Sequence, residues 1–183
     1  VIQIGVVFST NNVLGEKHIF VVNGSDNIDD AIVYNCKSER DMILQFFKLL
    51  NTKNPDTLVG YNVFGFDMRY LYERMEELSL TQNALFQDLS RVDKPVELQK
   101  KLLSSSALGD NTLYMWSIIG RLHIDLYFYI KRIENLASYK LDDVCRHYMS
   151  GKLKSIDTTK GDTWFIETKS TSDAEVGKYL VLL

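Results

Sequence analysis

Asp67 is the residue of this chain best placed for metal chemistry. It lies in residues 58–70, LVGYNVFGFDMRY, where an apolar run ends in a Gly-Tyr-Asn turn and helical periodicity opens at the aspartate. A carboxylate at a strand-to-helix junction is well placed to hold a divalent cation at the edge of a sheet. Metal-dependent phosphodiester hydrolysis needs several carboxylates converging on two cations roughly 3.5–4 Å apart, which activate water and stabilise the leaving oxygen. One aspartate does not build that site, so a catalytic Asp67 requires partners elsewhere in the fold. The competing reading is structural: an acidic first-turn residue complements the helix dipole.

Other residues carry weaker patterns. Asp125 stands in a strand-like run with Arg121 nearby, where an ion pair or a turn contact competes with a secondary role in a metal site. His18, His123 and His147 are scattered, as ordinary histidines are. Residues 127–132, YFYIKR, mix aromatics with basic charge, as a DNA-facing edge does. An amphipathic helix with a solvated basic end has the same composition. Glu73, Glu76 and Glu77 with Arg69 and Arg74 read as a charged helix face with (i, i+4) pairing.

The elements that must position these residues follow from periodicity and turn chemistry. Residues 1–8 and 18–22 are β-rich runs joined by a polar stretch, an antiparallel hairpin with a moderately long loop. A short strand follows at 32–34. Ser38 with Asp41 fits a helix-capping pattern ahead of Met42, Ile43, Phe46, Phe47 and Leu50, and Pro55 ends that helix near 51–54. Residues 58–60 read as a buried strand and 67–78 as a helix with Leu71, Met75 and Leu78 on one face. The irregular stretch 81–110 contains a short helix around 96–103. Runs 113–117 and 121–126 flank Gly120 as a second hairpin, followed by helices over 127–136 and 141–149. After Gly151 the chain turns polar, then resumes β character at 163–167 and 178–183. Interspersed hairpins favour a mixed α/β sheet flanked by helices over a purely parallel one.

Bulk properties narrow the class. At 183 residues, 45% hydrophobic and 25% charged, the chain has the size and composition of one folded domain. A net charge of −3 argues against a generally basic nucleic-acid binder. It does not argue against a nuclease, whose site is acidic by necessity. Cys36 and Cys145 form no CxxC pair, so neither a zinc site nor a disulfide framework is expected, and a reducing, intracellular compartment fits. No run of 18 apolar residues and no signal peptide appears, so membrane insertion and secretion are not expected. Both ends read as strands cut without a turn, which suggests a piece of a longer protein, incomplete at both ends.

Residues 55–74, PDTLVGYNVFGFDMRYLYER, resemble the second exonuclease motif of family B DNA polymerases. Gly60-Tyr61-Asn62, Phe66-Asp67, Tyr70-Leu71 and Arg74 match it with the spacing undisturbed. Residues 1–5, VIQIG, are similar to the strand that follows the family's first exonuclease motif. Residues 120–127, GRLHIDLY, resemble its GR-x-x-x-D strand, and 136–144, LASYKLDDV, its L-x-S-Y-K-L-D-x-V helix entry. The resemblance covers nearly the whole chain in the right order.

That resemblance implies part of a 3′–5′ proofreading exonuclease domain with a ribonuclease-H-like α/β fold. It gives Asp67 the role of a catalytic metal ligand, with Mg²⁺ as the expected ion. It places Asn62, Phe66 and Tyr61 near the frayed primer end, where an amide hydrogen-bonds and an aromatic stacks on a base, with core packing as the competing reading for both Phe66 and Tyr61. The implied partners are DNA, deoxynucleotides and a processivity factor. The expected setting is the host nucleus or a cytoplasmic factory of a large DNA virus. Two departures stand out. The family's first motif, Asp-x-Glu, is expected upstream of Val1. The third, Tyr-x-x-x-Asp, is not met at Tyr179, because Leu183 stands where the aspartate would be. Residues 163–183 instead read as the start of an inserted β segment of the kind carried by polymerases of large DNA viruses. The alternative function is an inactive polymerase-like module that binds DNA or a protein partner.

Overall fold

A computed structural model of the chain describes residues 1–11, 13–105, 109–150, 153–160 and 163–168. These divide into two compact units, Val1–Asn135 and Leu136–Leu183.

In the first unit, β1 (Gln3–Thr10) and β2 (Val13–Val22) pair antiparallel from Gln3↔Val21 to Thr10↔Val13. The hairpin is tighter than the polar stretch suggested. Only residues 11 and 12 separate the last pair, and Asn11 takes a left-handed φ of 52° that asparagine tolerates well. β3 (Ile32–Cys36) then pairs parallel with β2. Helix α1 (Glu39–Lys53) begins where the Ser38 hydroxyl accepts the Asp41 amide at 3.2 Å. It ends at Asn54, whose left-handed backbone (φ 47°) returns its N–H to the Leu50 carbonyl before Pro55. Met42, Ile43, Phe47 and Leu50 form its buried stripe.

β4 (Thr57–Gly60) leads through a turn to α2 (Asp67–Glu77), and α3 (Ala84–Gln87) follows. Two expectations fail in the next stretch. Residues expected as a helix around 96–103 are a strand, β5 (Leu98–Ser105), paired antiparallel with β6 (Gly109–Trp116). Pairing of Leu98 with Trp116 and of Lys100 with Tyr114 outweighs the weak helical preference of a short Leu/Lys/Gln run. Residues 113–117 and 121–126 do not form a hairpin with each other. Gly120 (φ 89°) redirects the chain, and β7 (Leu122–Asp125) pairs parallel with β4, from Thr57↔Leu122 to Gly60↔Asp125. Arg121 secures this departure by donating to the carbonyls of Leu89 (2.8 Å) and Pro55. Helix α4 (Leu126–Ile133) follows directly.

Parallel and antiparallel pairings coexist, as a mixed α/β chain requires. Among the described residues, however, they fall into four small sheets rather than one: β1-β2-β3, β4-β7, β5-β6 and a fourth in the second unit. β1 and β4 each hydrogen-bond to a strand on one side only, so no described strand joins their sheets. The main core lies between α1, α2, α3 and β6. The rings of Phe47, Phe86 and Trp116 meet there pairwise, with centroids 5.2 to 5.9 Å apart. A smaller cluster of Phe20, Cys36 and Met42 seals the three-stranded sheet against α1.

The second unit holds α5 (Leu141–Met149) and an antiparallel hairpin of β8 (Leu153–Lys160) and β9 (Thr163–Thr168). β8 was not expected, because its polar sequence shows no apolar alternation. Residues 169–183, with the strand expected at 178–183 and with Tyr179 and Leu183, lie outside the described residues. No helix among the described residues is long and apolar enough to cross a membrane.

Candidate active site

The turn between β4 and α2 carries the sequence-predicted residues, and close approaches explain its composition. A side chain at Gly60 would collide with Val63, and one at Gly65 with the side-chain oxygen of Asn62. Asn62 adopts a left-handed backbone (φ 59°), and its carbonyl accepts the amides of Gly65 (3.1 Å) and Phe66 (3.2 Å). The Val63 carbonyl accepts the Met68 amide at 3.0 Å, starting α2. Glycine, asparagine and glycine thus stand where the backbone folds back on itself with no room for more.

Three neighbours hold this turn from outside. From β6, the Tyr114 amide donates to the Phe64 carbonyl at 2.8 Å, and the Trp116 indole donates to the Met68 carbonyl at 2.9 Å. From the end of β7 comes the buried side chain of Asp125, which is 5% exposed. Its Oδ1 accepts the amides of Asn62 (2.7 Å) and Tyr127 (3.0 Å), and its Oδ2 accepts that of Phe64 (2.9 Å). Asp125 therefore caps α4 and clasps the turn after β4 through three backbone N–H groups. It makes no ion pair with Arg121, whose guanidinium bonds to carbonyls instead.

Asp67 is the first residue of α2 and lies open to solvent on this turn. Protein atoms crowding its carboxyl still raise its pKa above the usual carboxylate value. Its own backbone N–H opposes that rise and the charge of Asp125 adds to it. Phe66, the residue before the helix, supplies no side-chain cap, so Asp67 also serves the exposed N–H end of α2 as an acidic first-turn group. Both readings of Asp67 are compatible with this placement.

Asn62 and Phe66 are exposed on the same turn, Phe66 by 59%. The Phe66 ring stacks on Tyr70 one helical turn later, with centroids 5.4 Å apart and planes 10° from parallel. Tyr61 is half-buried and meets Tyr127 edge-on at 5.8 Å. Arg69 lies over the Tyr114 ring at 4.9 Å, tying α2 to β6. In the 127–132 segment, Lys131 lies over the Tyr127 ring at 5.6 Å.

Among the described residues no group of three or more histidines, cysteines or carboxylates converges as a metal site. Of the two acids here, Asp125 is buried with both oxygens accepting amides from other residues, and Asp67 is the exposed one. Among the described residues the turn thus carries two carboxylates, one buried and one exposed, fewer than a two-cation centre takes. Tyr114 and Trp116 escaped sequence reasoning as neighbours of this turn, because their place there depends on a strand pairing that local sequence does not encode. Tyr70 was matched in the motif, but its stacking on Phe66 was not foreseen.

Residues 1–144 match the profile described as DNA polymerase family B, exonuclease domain. The chain is 35% identical over 167 residues to a DNA polymerase of Pyramimonas orientalis virus, covering 91% of this chain and 13% of that protein. It is 29% identical over 169 residues to the DNA polymerase catalytic subunit of human herpesvirus 7 (strain JI), covering 90% of this chain and 16% of the relative. It is 29% identical over 140 residues to the DNA polymerase delta catalytic subunit of Candida albicans, covering 76% and 13%. The chain thus spans 13% to 16% of the length of these curated relatives.

Proposed function

Because the chain belongs to the exonuclease-domain family of family B DNA polymerases, we propose that it forms part of the 3′–5′ proofreading domain of a DNA-directed DNA polymerase of a large DNA virus. The whole enzyme extends a DNA primer by nucleotidyl transfer from deoxynucleotides, and this region takes part in removing a mispaired 3′ nucleotide. The observation that carries the reading is the carboxyl of Asp67. It stands on the turn at the aligned ends of two parallel strands, with its pKa raised and with no lysine or arginine paired to it among the described residues. Such a group gains from a cation.

On this reading Asp67 is a direct metal ligand. Asn62 hydrogen-bonds the frayed primer end, Phe66 stacks on a base, and Tyr61 lies beside them. The chemistry supplied by bound divalent cations, here Mg²⁺, is activation of the attacking water and stabilisation of the leaving oxygen. The remaining carboxylates come from an Asp-x-Glu strand upstream and a Tyr-x-x-x-Asp helix downstream, in a ribonuclease-H-like arrangement. Strand β9 (Thr163–Thr168) belongs to a β segment inserted before that helix. The isolated 183-residue chain accordingly has neither excision nor polymerase activity. A processivity factor accompanies the whole enzyme, which works inside the cell, in the host nucleus or a cytoplasmic viral factory.

The test is to give the intact polymerase single-stranded DNA and Mg²⁺. Release of mononucleotides from the 3′ end supports the proposal. DNA binding without any excision would replace it with the inactive-module reading.

A further inference from the structure

We propose that Asp125 is a positioning residue for excision, acting through the turn that presents Asn62 and Asp67 rather than by touching metal or DNA. The inference rests on the proofreading reading above and concerns a residue to which that reading assigns no part in the reaction.

The geometry points to it in three ways. Asp125 is buried, and its hydrogen-bond partners are backbone amides rather than cations; a carboxylate removed from water needs compensation, and three amides supply it. Two of those amides, from Asn62 and Phe64, are 63 and 61 residues away in sequence and flank the tightest part of the turn. A residue needed only to cap α4 would bond Tyr127 alone, and serine or threonine would suffice. Furthermore, Asn62 sits at a left-handed φ and its side chain packs over Gly65, so the direction of that amide depends on where the Asn62 backbone is held. The Asn62 amide bond, at 2.7 Å, is the shortest of the three. Releasing it frees the backbone that fixes Asn62 and the path from Phe64 to Asp67. A displacement of about 1 Å at a reacting group suffices to lower a catalysed rate by roughly 100-fold.

Two substitutions separate the clasp from the helix cap. Asp125→Asn keeps an oxygen for the Asn62 and Tyr127 amides and sets an amide group against the Phe64 N–H. Asp125→Ser keeps the cap to Tyr127 and is too short to reach the turn. Both are made in the intact polymerase beside the wild type and Asp67→Ala. Excision of single-stranded DNA is followed as kcat and KM, and primer extension on matched DNA reports the integrity of the rest of the enzyme.

The expected result is a graded loss of excision kcat, about 10-fold for Asn and about 100-fold for Ser, with KM within about 3-fold and extension unchanged. A Ser variant that excises at the wild-type rate overturns the proposal. So does a loss of excision matched by an equal loss of extension, which marks general destabilisation. Failure of the proofreading reading is separately visible, because the wild type would then not excise or Asp67→Ala would excise normally.

Discussion

Gly60 and Asp125 face each other as the last pair of the parallel β4–β7 ladder. This register brings the Asp125 carboxylate against the turn that leaves β4, within reach of the Asn62 and Phe64 amides. A one-residue slip would present Ile124 or Leu126 there and leave those amides without their carboxylate. The candidate site is therefore built on a strand pairing rather than on the motif alone.

The two glycines of the turn and strand make a direct stability comparison. Gly65→Ala should destabilise the chain by roughly 1–3 kcal/mol, because its methyl group would enter the space of the Asn62 side-chain oxygen. Gly5→Ala, where nothing stands within 4 Å of an added Cβ, should change stability by less than about 0.5 kcal/mol. Urea unfolding of both variants checks the contrast. Equal effects would mean that the turn is looser than its contacts imply.

Trp116→Phe should cost about 2–3 kcal/mol. It removes the indole donor to the Met68 carbonyl and part of the ring contact with Phe47 and Phe86. Hydrogen exchange should rise most in the first turn of α2, where that carbonyl lies. Exchange that rises uniformly would assign Trp116 a core role only.

These two cases also show how far the sequence could be read. The Gly-Tyr-Asn…Gly-Phe-Asp spacing announced a tight strand-to-helix turn, because left-handed asparagine and collision-limited glycine are local properties of a few residues. Ser38, Asp41 and Pro55 marked both ends of α1 for the same reason. The β5–β6 ladder and the β4–β7 pairing were not legible. A short run such as LQKKLLSS satisfies helix and strand patterns alike, and its choice is made by Tyr114 and Trp116 across the ladder. Asp125 was recognised as a contact residue, but its partners lie about sixty positions away and are backbone amides, which leave no mark in sequence.

Acid should weaken the junction between α1 and α2. Arg74 meets Glu39 through two hydrogen bonds, 2.9 and 2.6 Å, and these are the largest cause holding the Glu39 carboxyl down at about 2, against an ordinary value of 4.5. With the folded value below the unfolded one, this contribution is fully present above about pH 4.5 and is lost as the pH falls toward 2. Arg74→Met should therefore lower stability by roughly 1–2 kcal/mol near neutral pH and by progressively less below about pH 4. Thermal melts of both proteins across that range measure it, and a constant difference would remove Glu39 as the cause.

The exposed Phe66–Tyr70 stack should matter for DNA and little for folding. In the intact polymerase, Phe66→Ala should weaken single-stranded DNA binding at the excision site by about 1–3 kcal/mol, while the melting temperature scarcely moves. Fluorescence anisotropy in an Asp67→Ala background separates binding from cleavage. Unchanged affinity would assign Phe66 to packing against Tyr70.

The most direct measurement of the central claim is single-turnover excision of a mispaired primer by the intact polymerase, wild type against Asp67→Ala, with primer extension followed on the same preparations. Loss of a direct ligand to the catalytic cations predicts excision reduced by at least about 1,000-fold with extension within about 2-fold of wild type. Excision retained at a comparable rate, or excision and extension lost together, would contradict the account and leave Asp67 as a helix-end residue of structural importance only.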